Sequence, residues 1–163
     1  MSFAYLASTP GLNHNHSLLA VPAGWVVSMA PLWWAVGKAN SVAPGTYKNA
    51  NPKESWENLD SADISATLKR QLRRAVDANN NNHTNLPLFA AGLAAANAAH
   101  VDSGSLHLYS AGFLLSRIGY NLAYVLIEEE KYSWARTILY WSGVYASLGL
   151  FVKAAVQYRK LPW

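Results

Sequence analysis

The residues best suited to chemistry stand in two short runs. In the first, LRRAVDANNNNHTNLPLF from Leu72 to Phe89, the residues Arg74, Asp77, Ala78, Asn81, Thr84 and Asn85 recur every three to four positions. That spacing places them along one face of a helix. In the second, Arg117, Tyr120 and Tyr124 stand at i, i+3 and i+7, a cation and two phenols on one stripe of an otherwise apolar segment. Set against the amides of the first run, this stripe describes a pocket for an anionic group. Each run also has a plainer explanation. Arg117 can snorkel to a membrane interface, since only about ten residues separate it from Ile127. Arg73 can pair with Asp77 at i,i+4 while the asparagines hydrogen-bond between helices. His83, beside Thr84 and near Asn81, is the histidine placed to act as acid or base, because imidazole titrates near neutral pH. His14 and His16 form an H-x-H pair with no acidic or thiol ligand nearby, so no metal site is expected.

The elements that must carry these runs follow from the distribution of charge. Of 163 residues, 52% are hydrophobic and 13% charged, which excludes disorder; with no cysteine there is no disulfide scaffold, thiol nucleophile or thiolate metal site. A mean hydropathy of +0.02 hides strong segregation. Ser17 to Gly37 carries no formal charge, and further apolar segments run from Leu86 to Ala99, from Ser103 to Ile127 interrupted by Arg117, and from Thr137 to Val152. A soluble bundle would show charges on the outward stripe of each helix, and the first segment has none on any face. The expected architecture is all-α: an integral membrane four-helix bundle formed by the whole chain, 1–163, with spans at roughly 17–38, 66–99, 104–127 and 132–156. Ser61 or Asp63 is expected to cap the second of these helices, with its first turn near Ile64, and Pro87 to kink it without ending it.

Four spans put Lys38 to Arg74 and the turn at Glu128 to Lys131 on one side and both termini on the other. Basic residues concentrate on the first side, which therefore faces the cytosol, leaving the termini lumenal. Trp33, Trp34, Trp134 and Trp163 fall near span ends, where an aromatic belt forms. Met1 to Ser17 lacks the basic start of a cleavable leader. The first loop, rich in Pro, Gly and Asn, reads as irregular, and its four acids argue against nucleic acid as a partner. A polar Arg and Tyr stripe turned toward lipid is untenable, so burial against a neighbouring copy is expected.

At these two runs the chain resembles the MAPEG family, the membrane-associated proteins of eicosanoid and glutathione metabolism. Arg74, Ala75, Asn81, Asn85, Pro87 and Phe89 match the family's first block, and Arg117, Tyr120 and Tyr124 in SRIGYNLAY match its second. The resemblance covers nearly the whole chain. It implies a homotrimer in an intracellular membrane, the endoplasmic reticulum, with glutathione held between subunits by Arg74, Asn81, Asn85, Arg117, Tyr120 and Tyr124. It also implies a cation at or before the fourth helix that stabilises a thiolate; an ungapped count reaches Lys131, and the helix start offers Arg136. The family's second-helix Glu, which holds the glutathione amine, is Thr84 here, and an Arg found one turn before the Asn in some members is Asp77.

Three functions stem from this reading. The first is a glutathione-dependent transferase or peroxidase acting on a lipophilic small molecule from the lipid bilayer, with Arg136 or Lys131 serving the thiolate. The second is a glutathione-independent isomerase or cyclase in which His83, Asn81, Tyr120 and Tyr124 polarise a lipophilic substrate. The third is a non-enzymatic membrane scaffold.

Overall fold

The computed structural model describes residues 14–160, so Trp163 and the first thirteen residues of the stretch read against a leader lie outside the described residues. Among the described residues all regular structure is helical, in five α-helices: α1 (Ala20–Val42), α2 (Pro52–Glu57), α3 (Ala66–Ala98), α4 (Ser103–Leu126) and α5 (Trp134–Tyr158). α3 is the centre of the arrangement, packing against α1, α4 and α5, while α4 also packs on α1 and α5. Phe89 of α3 and Phe113 of α4 stack with ring centroids 3.9 Å apart, in a core shared with Leu93, Leu106 and Leu150. Gly92 lets α3 and α5 approach closely, since a Cβ there would meet the Ser147 carbonyl at 2.8 Å.

Prolines stand inside two of these long helices, and at one of them a neighbouring helix supplies the missing donor. Pro31 lies inside α1 and leaves the Val27 carbonyl without its helical N–H partner. Asn121 Nδ2 of α4 donates to that carbonyl at 2.8 Å, and its Oδ1 accepts from Asn82 of α3. One turn away, Asn79 Nδ2 donates to the Ser28 carbonyl at 2.8 Å. Asn79 and Asn82 thus clasp three helices from a buried position. α3 continues through Pro87 without ending.

Several details differ from the sequence expectations. α3 begins at Ala66, capped by Ser65, whose Oγ accepts from the Leu68 N–H at 3.3 Å; neither Ser61 nor Asp63 caps it. Those two residues sit where the chain is still leaving the turn Asn58–Ser61. The first loop is not wholly irregular, because Pro52 at the first turn starts α2 and Leu59 is fully buried beside Ala35, Ala39, Leu72 and Ala75. Arg73 pairs with Asp60 at 2.7 Å rather than with Asp77, and its hydrogen bond holds the Asp60 carboxyl below the usual carboxylate range. Two helical stretches, Ser17–Val42 and Glu130–Tyr158, are long and apolar enough to cross a membrane. α3 and α4 are long enough, but the arginines and asparagines of α3 and the Arg, Tyr, Ser and Asn residues of α4 keep them less apolar.

α3 ends in a paired-bond cap. The Val101 N–H reaches the Ala96 carbonyl and the His100 N–H the Asn97 carbonyl, both at 3.0 Å, with His100 at φ 56°. Asp102 then caps α4, its carboxylate accepting from the Ser105 N–H at 2.8 Å; that bond holds its pKa below the usual value.

Candidate functional site

Ser133, the N-cap residue of α5, and Arg136, Thr137 and Tyr140 in its first turns stand at i, i+3, i+4 and i+7, so they share one helical face. Opposite them α4 presents Tyr120 and Tyr124, and α3 presents Asn81. Together these seven residues line a cavity of about 370 Å³. Thr137 is exposed, so the cavity opens on the outer face of the protomer. The turn leading into α5 is tied down by Glu128, which pairs with Arg70 and stands 3.9 Å from Arg74.

The cavity chemistry is one cation among neutral donors. Asn81 Nδ2 donates to the Tyr120 hydroxyl oxygen at 2.9 Å, which leaves the Tyr120 proton free to be donated elsewhere. The Arg136 guanidinium lies 5.0 Å from the centroid of the Tyr124 ring. The Tyr120 ring is 5.2 Å from Tyr124 and 5.9 Å from Tyr140, a continuous aromatic wall. Such a site can hold a carboxylate or thiolate at Arg136 and hydrogen-bond an oxygen from Tyr120.

Of the residues singled out from sequence, Asn81, Tyr120, Tyr124 and Arg136 come together here. The others do not line this cavity. Arg117 is fully buried, so it does not snorkel. It lies behind the wall, with Nη2 donating to the Leu139 and Tyr140 carbonyls at 3.0 and 2.7 Å and its guanidinium 5.2 and 5.4 Å from the Tyr120 and Tyr140 rings. Asn85 is buried and donates back to the Asn81 carbonyl at 3.1 Å. His83 turns to α1, its Nε2 3.3 Å from Met29 Sδ, because two residues along a helix rotate it by about 200° from Asn81. Lys131 is exposed over the ring of Tyr132 at 5.5 Å, outside the cavity. Arg74 lies about 10 Å below Asn81 along α3, near the Val125 carbonyl and Glu128. Thr84 is exposed and donates to the Asn80 carbonyl at 3.1 Å.

Sequence reasoning passed over Tyr140, Thr137 and Ser133. Their signal was the spacing from Arg136, which puts a hydroxyl on the same face at each turn. The cavity fits part of glutathione by its donor set: Arg136 suits a carboxylate or the thiolate, and the hydroxyls and Asn81 suit peptide groups. Among the described residues no carboxylate lines it to receive an amine, and the volume is at the small end for a ligand site.

A family model matches residues 18–156, that of the MAPEG family. No curated protein and no solved structure matches the chain.

Proposed function

The chain belongs to the MAPEG family, a membrane-associated family of glutathione and eicosanoid metabolism, and from that membership we propose a membrane-embedded glutathione-dependent transferase or peroxidase for a lipophilic small molecule. The observation that carries this reading is Arg136, among the described residues the one cation lining a cavity whose other polar groups are neutral. Glutathione, when bound, supplies a nucleophilic thiol. Arg136 stabilises its anionic form, since a guanidinium favours the charged state of a neighbouring acid. Tyr120, oriented by Asn81, donates its free proton to the oxygen of a peroxide or other electrophile that gains charge. Tyr124 and Tyr140 give the lipophilic partner an apolar wall.

In the same reading the chain is one domain in which α1, α3, α4 and α5 are the four spans, the cavity lies near the cytosolic face of the endoplasmic reticulum membrane, and the termini are lumenal. A homotrimer is supported by the free face of α3. Asp77, Asn80 and Thr84 are exposed there, followed on the same line by Pro87, Ala91, Ala94 and Ala98. Polar groups at membrane depth need protein neighbours, and small residues let helices approach. Another copy of α3 meets both needs in a closed ring.

The absence of a carboxylate for the glutathione amine favours a second reading, an isomerase or cyclase that binds its lipophilic substrate without glutathione. Calorimetric titration of the purified protein with glutathione separates the two. Saturable binding that is strongly weakened in Arg136→Leu supports the transferase; no binding by the unaltered protein, together with turnover of a lipophilic substrate, supports the isomerase.

A further inference from the structure

Gly143 lies in the interior of α5, where glycine weakens a helix, and nothing in the local backbone requires it. Its surroundings do. A Cβ at this position would come within 2.6 Å of Ser116 Oγ and 2.8 Å of Arg117 Nε, and closer still to Arg117 Nη2. The guanidinium of Arg117 occupies the notch that the missing side chain leaves. From the notch it donates to two α5 carbonyls and contacts the rings of Tyr120 and Tyr140. Arg117 is fully buried, and no carboxylate pairs with it among the described residues. Carbonyl dipoles at Nη2 and the aromatic faces meet part of its charge, and Nη1 is buried without a hydrogen-bond partner among the described residues, so the planar cation depends on being held against those rings.

The two rings that it contacts are walls of the cavity. We infer that Gly143 and Arg117 are positioning residues, a notch and a buried cation that together set the ring orientations of Tyr120 and Tyr140 and so fix the shape of the ligand site. The role in ligand binding rests on the function proposed above; the effect on the rings does not.

Gly143→Ala should make α5 a better helix in isolation while displacing the guanidinium. Arg117→Lys keeps the charge but cannot present a plane to two rings. The test is fluorine NMR of the purified protein carrying 3-fluorotyrosine at Tyr120, at Tyr140, or at Tyr47 as a control, whose ring packs on Trp56 in the first loop. In both variants the Tyr120 and Tyr140 resonances shift and broaden while Tyr47 stays in place, and the double variant is no worse than the more affected single one. Unmoved Tyr120 and Tyr140 resonances in either variant overturn the proposal. If Gly143→Ala does not fold, Arg117→Lys decides alone by the same criterion. Glutathione affinity, measured in parallel, falls by about tenfold in each variant, a shift of about 1.4 kcal/mol. Absence of glutathione binding by the unaltered protein defeats the transferase reading and leaves the fluorine result to judge the notch.

Discussion

Asn121 stands in for a hydrogen-bond donor that Pro31 lacks: its side-chain amide, 2.8 Å from the Val27 carbonyl, occupies the place of the N–H removed by the proline ring. The bond ties α4 to α1 where α1 would otherwise expose a bare carbonyl. Asn121→Leu should therefore cost about 1 kcal/mol of stability in detergent unfolding. Pro31→Ala restores the local N–H, so the same leucine substitution should cost markedly less in that background. Equal costs in both backgrounds would show that the two residues do not act as a unit.

Arg136 and Lys131 make opposite predictions for ligand binding. Arg136→Leu should weaken an anionic ligand by a factor of roughly thirty, since it leaves a charge without a partner in a partly desolvated site. Lys131→Leu, over Tyr132 and outside the cavity, should leave affinity within about twofold. Titration of both variants with glutathione reads the difference directly.

Asp102 predicts a pH dependence at the opposite end of the helices. Its folded-state pKa is lowered by the Ser105 N–H, so the cap contributes fully above the ordinary aspartate value of about 3.9 and is lost as pH falls through the lowered value. Asp102→Ala should cost about 1 kcal/mol at neutral pH. The gap between it and the unaltered protein should close in acid as the carboxyl is protonated, and a gap that does not narrow at all as pH falls would assign the loss to something other than the charged cap.

His100 occupies the left-handed position of the α3 cap, at φ 56°, where a Cβ is strained. His100→Gly should raise stability by about 1 kcal/mol, read as a higher Tm, because the bonds of Val101 and His100 to the preceding turn use only backbone atoms.

The long helices were legible because apolar stretches of this length admit few other structures, whereas their ends were not: Ser65 rather than Ser61 or Asp63 caps α3, and α1 and α5 start without a side-chain cap. Half of the cavity was legible as well. Asn81, Tyr120 and Tyr124 were found by spacing alone, and Arg136 by resemblance. His83 was grouped with Asn81 by nearness in sequence, although a separation of two along a helix points to the far side. Arg117 was harder. A buried cation suggested either a ligand anion or an escape to the interface, and sequence gave no view of the third outcome, in which α5 carbonyls and a glycine notch from 26 positions further on receive it. The polar run divided in the same way: Asn81 faces the cavity, whereas Asn79 and Asn82 hold helices together.

At the close crossing of Gly92 and Ser147, α3 and α5 have the least room to separate or slide, so a tilt of one against the other would turn about this point. Asn81 lies about 16 Å from it along α3, and Tyr140 about 10 Å from it along α5. A relative tilt of about 5° about that point would carry Asn81 by roughly 1.4 Å, enough to admit or reject one methylene of ligand width. Bulk added at Gly92 would therefore change which substrates fit a cavity that the residue never touches, and the lever arms, rather than any contact, would set the size of the change.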